Sequence, residues 1–466
     1  MVKKAFICVC LCLLTGFAAD DAELATKIDA RARAAQAEDL FSGTILLARH
    51  GKLLFSGAYG EADKDHGTPN RLETRFNIGS IGKTFTAVSI MGLVDQGKLS
   101  LNDPVKKHLT DFPHGDKIQI RHLLNHSSGI NNYMRHRDYA GSMSRLRLTA
   151  DFKPLIYDQE LVFSEPETKF SYSNSGMVLL GLIIEKVSGM TYADYIQTNI
   201  FKPLKMNDSG ICFREQVVPN RSKGYSVSLS GGYTGNTFSE PPAGPDGGLY
   251  TSVGDMLKFD QALVANALLS DNAKENMFTE RLGGYGYGWQ IQGQADKKIV
   301  GHTGGAPGVS AAFFRYLDDG FTVIVLSNYS RGIFIYQDIM ALIGGRKLPE
   351  LPKPLGRRVY ASIQQKGLKA TIADLEKAPP RGPMSFNSLG YAFMSEGMAA
   401  EAIEIFKLNT RFFPQNANAF DSLAEGYMNN GQLEAATENY NKTLAMEPSN
   451  PNARVMLQRL EKMKGR

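Results

Sequence analysis

Two short runs of apolar and polar alternation stand near the N-terminus, at residues 43–49 and 53–59, and His50-Gly51-Lys52 between them makes a turn. This pattern predicts a hairpin of paired strands. Late in the chain come residues 286–291, 299–305, 309–316 and 321–326, read as neighbouring antiparallel strands, with Asp318-Asp319-Gly320 as a hairpin turn. Between these two groups the apolar period lengthens from two to about 3.6. Residues 76–85 lead into an amphipathic segment at 86–94 that Gly97 stops, and Met177, Leu180, Gly181, Ile184 and Val187 form a helical stripe that Gly189 ends. Residues 22–39 open the chain as a helix and 333–343 close this part of it as another. The pattern predicts an α/β (α+β) domain: one antiparallel sheet joining the early hairpin to the late strands, helices on its faces, and a mostly helical half from the intervening chain.

The pattern changes again after residue 345. Pro349, Pro352 and Pro354 alternate with basic residues, which predicts a linker at 346–358. Beyond it Phe386 matches Phe420, Leu389 Leu423, Gly397 Gly431, Ala402 Ala436, Phe406 Tyr440 and Pro414 Pro448, always at an offset of 34. That is the tetratricopeptide (TPR) spacing, so residues 359–466 are expected to form an all-α helical-repeat domain with repeats at about 385–418 and 419–452. Two repeats are few, and residues 358–377 and 452–463 are expected to act as capping helices or to dock on the main domain.

Composition narrows the setting. Of 466 residues, 43% are hydrophobic and 21% charged, a globular balance in a chain long enough for two or three domains. Residues 1–18 read as a secretory signal peptide, with Lys3 and Lys4 before an apolar run and Gly16-Phe17-Ala18 as a cleavage site. The apolar run is too short to span a bilayer comfortably, so the expected product is exported, periplasmic or secreted from a bacterium, with no stable membrane span after cleavage. Cys8, Cys10 and Cys12 lie in that segment, which leaves Cys212 as a lone buried cysteine and no disulfide. Cleavage takes the formal charge from +5 to +3, too mild for a nucleic-acid partner.

Three stretches carry candidate chemistry. Ser80 and Lys83 are three apart at the start of a helix, so an ammonium reaches a hydroxyl on one face, near free backbone N–H groups and the positive end of the helix dipole. The same stretch lies one residue from a phosphate-binding loop, but Asn77 stands where its first glycine belongs and no buried strand precedes it. Tyr172 and Asn174, two apart in an extended lead-in, point the same way, unless they simply cap the following helix. His302-Thr303-Gly304-Gly305 lies on a predicted strand whose glycines leave room for a ligand's backbone, or make an ordinary glycine turn. His122 and His126 have zinc-helix spacing, but Leu123 replaces the glutamate of a metalloprotease, so packing or hydrogen-bonding roles are expected. No metal site or cofactor is expected.

Taken together, Ser80-Ile81-Gly82-Lys83, Tyr172-Ser173-Asn174 and His302-Thr303-Gly304, with residues 122–129, 247–252 and 301–308, resemble the serine β-lactamase and penicillin-binding-protein superfamily over about residues 25–345. The nearest likeness is to class C β-lactamases, D-alanyl-D-alanine carboxypeptidases, D-aminopeptidases and β-lactamase-like esterases. The resemblance implies a β-lactamase-like fold over residues 22–345. It implies that Ser80 forms an acyl-enzyme, that Lys83 and Tyr172 share proton transfer, that Asn174 holds Lys83 or the substrate amide, and that His302, Thr303 and Gly304 meet the substrate. It further implies an oxyanion hole from the backbone N–H groups of Ser80 and Gly305. The substrate would be a small molecule or peptide-type ester or amide, and the repeats would offer a protein partner a surface. Many relatives carry lysine where His302 stands, which predicts weaker recognition of substrate carboxylates and, if His302 is charged, help in ionising Tyr172. Two other readings are a penicillin-binding receptor that acylates without fast turnover, and a TPR scaffold with a vestigial hydrolase.

Overall fold

The computed structural model describes residues 7–211, 215–293, 297–351, 354–448 and 450–464, so Cys212 and the first six residues of the expected signal segment lie outside the described residues. The chain divides into two compact units: residues 1–226 with 235–349, and residues 227–234 with 350–466.

The first unit is built on a six-stranded antiparallel sheet. Its strands are β1 (Gly43–Arg49), β2 (Lys52–Tyr59), β3 (Gln290–Gln292), β4 (Ile299–Ala306), β5 (Val309–Tyr316) and β6 (Phe321–Ser327), in the order β2-β1-β6-β5-β4-β3. The early hairpin joins the late strands through β1 and β6, with Leu46 opposite Ile324. Alternation along β5 shows why helices cover both faces. Phe314 stacks on Tyr336 of the closing helix, while its neighbour Phe313 points to the other face, against Phe259 and Trp289. The closing helix (Phe334–Ile343) pairs with the opening helix α1 (Ile7–Ala37) through Arg31 and Asp338, 2.7 Å apart.

The helical half surrounds α2 (Gly82–Asp95) and α3 (Asn174–Ser188). Phe85 of α2 stacks on Phe259 at 4.2 Å between ring centres, and Leu179, Ile183 and Leu123 are fully buried with them. Gly189 ends α3 with a φ of +72°, the left-handed conformation that glycine adopts without strain. A buried pair, Arg315 to Asp260 at 2.5 Å, joins the sheet to the helix Val253–Val264, and Thr322 donates to the same carboxylate at 2.9 Å.

One expected strand is a turn instead. Over residues 286–289 the Gly286 N–H reaches the Trp289 carbonyl at 2.8 Å, and Gly288 has a φ of +75°, so extended structure begins only at Gln290. Any side chain at Gly288 would strike Ala87, which is why aromatic alternation there does not make a strand.

The second unit is helical. Leu355–Lys366 begins inside the stretch expected to be a linker and pairs with Leu368–Lys377. The hairpins Pro383–Ser395 with Ala399–Phe412 and Ala417–Asn429 with Leu433–Met446 follow at the expected offset of 34. Pro451–Lys464 starts 34 residues after Ala417 and packs on Leu433–Met446, as one helix after the second hairpin. Large residues fill the space beside small ones: a Cβ on Gly390 would lie 2.3 Å from the Phe406 ring, and Phe406 and Tyr440 are fully buried. The short segment 227–234 contributes Leu229 to this core. Among the described residues no single helix is long and apolar enough to cross a membrane.

Candidate active site

Ser80 lies in a single 3₁₀ turn, Gly79–Ile81, between the short strand Phe76–Asn77 and the first residue of α2. The turn is braced locally. Asn77 accepts from the Gly79 N–H at 2.8 Å and donates to Glu240 at 2.7 Å, and Arg221 donates to the same carboxylate at 2.6 Å. Strand β4 runs hard against the turn: a Cβ on Gly304 would lie 1.9 Å from the Ile78 carbonyl oxygen, and one on Gly79 2.6 Å from the Gly305 nitrogen. Gly79 itself has a φ of +51°. Glycine at both places therefore brings the Gly305 N–H beside the Ser80 turn.

Lys83 is fully buried, and its Nζ donates to Ser80 Oγ at 3.0 Å and to the Asp246 carbonyl at 2.5 Å. One helical turn from the serine, it also lies 5.0 Å from the centre of the Tyr172 ring. Tyr172 is half-buried at the end of the extended lead into α3. Asn174, the first residue of that helix, donates to Met134 Sδ at 3.2 Å, and its Oδ1 is buried with no partner. The structure thus brings Ser80, Lys83 and Tyr172 together and leaves an acceptor at Asn174 unoccupied. Neither Asn174 nor Tyr172 makes the side-chain cap to α3 that their position allowed.

On the opposite side, Thr303 is half-buried and accepts from Gln290 Nε2 at 3.4 Å, while Gly305 is exposed. Strand β3 pairs only with Ile299–Gly301, and so ends before Thr303. His302 is turned inward and 1% exposed. Its Nδ1–H donates to its neighbour's carbonyl, Thr303 O, at 2.5 Å, and its Nε2 accepts from the Tyr285 hydroxyl at 2.8 Å. Burial first, and the Lys83 charge second, push its pKa down to about 3. A neutral ring does not supply the charge that help in ionising Tyr172 requires. The two hydrogen bonds also leave neither ring nitrogen of His302 open to a substrate.

Of the neighbours, Tyr285 and Asp246 gave no motif in the sequence, while His126 belongs to the stretch 122–129. Tyr285 and His126 pack with Tyr172 and His302 in an aromatic cluster, with His126 4.3 Å and Tyr285 6.3 Å from Tyr172 between ring centres. His126 is buried, which holds its imidazole well below its usual range, and its Nδ1 accepts from the Ser173 N–H at 3.3 Å. His122 accepts from the Gln119 N–H at 3.0 Å, so both histidines of the zinc-like pair bond to backbone. Among the described residues no group of three or more His, Cys, Asp or Glu is placed to hold a metal ion. The other unannounced residue is Asp246, whose signal was only an acid in the loop Pro242-Ala243-Gly244-Pro245-Asp246-Gly247-Gly248.

Known proteins resemble this chain over most of its first unit. The chain is 34% identical over 313 residues to penicillin-binding protein 4* of Bacillus subtilis, covering 62% of this chain and 68% of that protein. It is 30% identical to the esterase EstB of Burkholderia gladioli, over 54% of this chain and 73% of that one. A crystal structure of a penicillin-binding protein from Bacillus halodurans superposes with a TM-score of 0.61 at 33% identity, over 66% of this chain and 97% of that chain. A family model described as Beta-lactamase matches residues 28–338. The first unit has the β-lactamase-like fold, and the chain belongs to the Beta-lactamase family as a serine hydrolase.

Proposed function

We propose that Ser80 attacks the carbonyl of an ester or amide and carries the acyl group as a covalent intermediate. The observation that carries this reading is the buried ammonium of Lys83, 3.0 Å from Ser80 Oγ and beside the Tyr172 ring. A serine hydroxyl is a weak nucleophile and needs an adjacent group to take its proton. Lys83 and Tyr172 share that work as a pair that lacks one proton, ammonium with phenolate or amine with phenol. The pair takes the serine proton and then passes it to the leaving group. Positioned proton transfer of this kind contributes about 10²- to 10⁴-fold. The N–H groups of Ser80 and Gly305 receive the developing oxyanion, and loss of one such donor costs roughly 3 kcal/mol of barrier. Substrate lies along the stretch of β4 that β3 leaves uncovered, with Thr303 and the free Asn174 Oδ1 as its polar contacts.

A neutral, buried His302 supports acyl donors without a carboxylate as the preferred class, since the place of the relatives' lysine carries no charge. The similarity to penicillin-binding proteins supports a second reading, in which a β-lactam acylates Ser80 and leaves slowly. The test compares kcat/KM for an aryl ester, a D-alanine anilide and a cephalosporin. The aryl ester is expected to be the fastest. A cephalosporin hydrolysed faster than simple aryl esters contradicts the reading, and a stoichiometric stable penicillin adduct favours the receptor.

The signal-like residues 1–18 support export to the periplasm or beyond. The step of 34 between helix starts supports a TPR module in the second unit, with a protein partner as its ligand.

A further inference from the structure

We infer that Asp246 is the positioning residue of Lys83: its carbonyl holds the ammonium beside Ser80, and its carboxylate, gripped by Tyr133, is the buried counter-charge. This rests on the serine-hydrolase reading. The loop that carries Asp246 folds tightly on itself, with Gly244 and Gly247 exchanging backbone hydrogen bonds of 2.8 and 3.1 Å. It thereby presents two consecutive carbonyls to one face of α2. Pro245 O accepts from Thr86 Oγ1 at 2.6 Å and Asp246 O from Lys83 Nζ at 2.5 Å.

The carboxylate is buried, like the lysine. Asp246 is 5% exposed, accepts from the Tyr133 hydroxyl at 2.8 Å through Oδ2, and leaves Oδ1 buried without a partner. A buried ammonium is costly unless a charge of opposite sign balances it, and the same holds for the carboxylate. Burial raises the Asp246 carboxyl above its ordinary range, and the Lys83 charge and the Tyr133 hydrogen bond offset that only in part. The titratable groups around the pair come from six segments. Tyr133 sits on the turn Tyr133–Arg135 with Tyr139 behind it, Tyr192 on the helix Tyr192–Ile196, and Tyr172 at the entry to α3. His126 and His302 lie near Lys83 and are held neutral. Asp246 is the only carboxylate among these groups.

The experiment follows lysine 13Cε signals by NMR and kcat/KM for an aryl ester across pH, in the full-length wild type, Asp246→Asn and Asp246→Ala. Lys83→Arg identifies the Lys83 signal, and Trp289 fluorescence shows that each variant is folded. Without the counter-charge the Lys83 signal is expected to move its pH dependence toward lower pH. The high-pH limb of kcat/KM is expected to move with it, through kcat rather than KM. A Lys83 signal that titrates as in the wild type in both folded variants overturns the inference. A signal that moves in a protein whose wild type hydrolyses no ester upholds it and removes the hydrolase reading instead.

Discussion

Acidification is expected to destabilise the first unit through His302, and the size of the effect follows from its burial. The ring is 1% exposed, both nitrogens are satisfied in the neutral form, and its pKa falls from an ordinary 6.5 to about 3. Between those two values the unfolded chain binds a proton that the folded chain refuses. A histidine depressed in this way gives its full stability above pH 6.5 and loses it as pH falls toward 3. The slope is about 1.4 kcal/mol per pH unit, so His302 alone removes about 2 kcal/mol between pH 6.5 and 5. His126 and His122 are depressed as well and add to the wild-type slope in the same direction. The informative quantity is therefore a difference between slopes. His302→Asn keeps a donor at the Nδ1 position for the Thr303 carbonyl and does not titrate. Trp289, the single tryptophan and fully buried against Phe278 and Phe313, reports unfolding of this unit by its fluorescence. Urea titrations from pH 7.5 to 5 are expected to give a wild-type slope steeper than that of His302→Asn by about 1.4 kcal/mol per pH unit below pH 6.5. Parallel slopes would mean that His302 is protonated in the folded protein, and the preference for uncharged acyl donors would lose its physical basis.

Other substitutions test separate parts of the structure. Tyr172→Phe is expected to lower kcat for an aryl ester by about 10²- to 10⁴-fold with little change in KM, since only the phenolic oxygen is removed. Gly304→Ala places a methyl 1.9 Å from the Ile78 carbonyl, so β4 must shift away from the Ser80 turn. A loss of about 1–3 kcal/mol in stability and at least about tenfold in kcat/KM is expected from urea titration and ester hydrolysis. Asp260→Ala leaves the buried Arg315 without its carboxylate and should cost roughly 3–5 kcal/mol, read from Trp289 fluorescence in urea. In the second unit Phe406→Ala empties a fully buried site against Gly390 and should cost roughly 3–5 kcal/mol of helical stability, read by far-ultraviolet circular dichroism.

What was legible in the sequence was what local periodicity encodes. The hairpin at Gly43–Tyr59, the late strands and the helix ended by Gly189 each depend on residues close in the chain. Their alternation is visible without knowing the partner. Where one glycine overrides the pattern, the reading failed: Tyr285, Tyr287 and Trp289 alternate like a strand, yet Gly288 turns the chain against Ala87. The offset of 34 also relates Asn452 and Ala453, on the helix Pro451–Lys464, to Asn418 and Ala419. The motif residues Ser80, Lys83 and Tyr172 could be named because their types and order are distinctive. The protonation of His302 could not, because Tyr285 and His126, which enclose it, come from separate segments. Asp246 is 163 residues from Lys83, and only the fold of its loop puts its carbonyl on the ammonium.

The most direct measurement is intact-protein mass spectrometry during hydrolysis of a nitrophenyl ester, followed by peptide mapping, in the wild type and Ser80→Ala. A transient mass increase equal to the acyl group, located on Ser80 and absent from the variant along with turnover, is the expected result. Turnover that survives in Ser80→Ala, or an acyl group carried on any other residue, contradicts catalysis through Ser80.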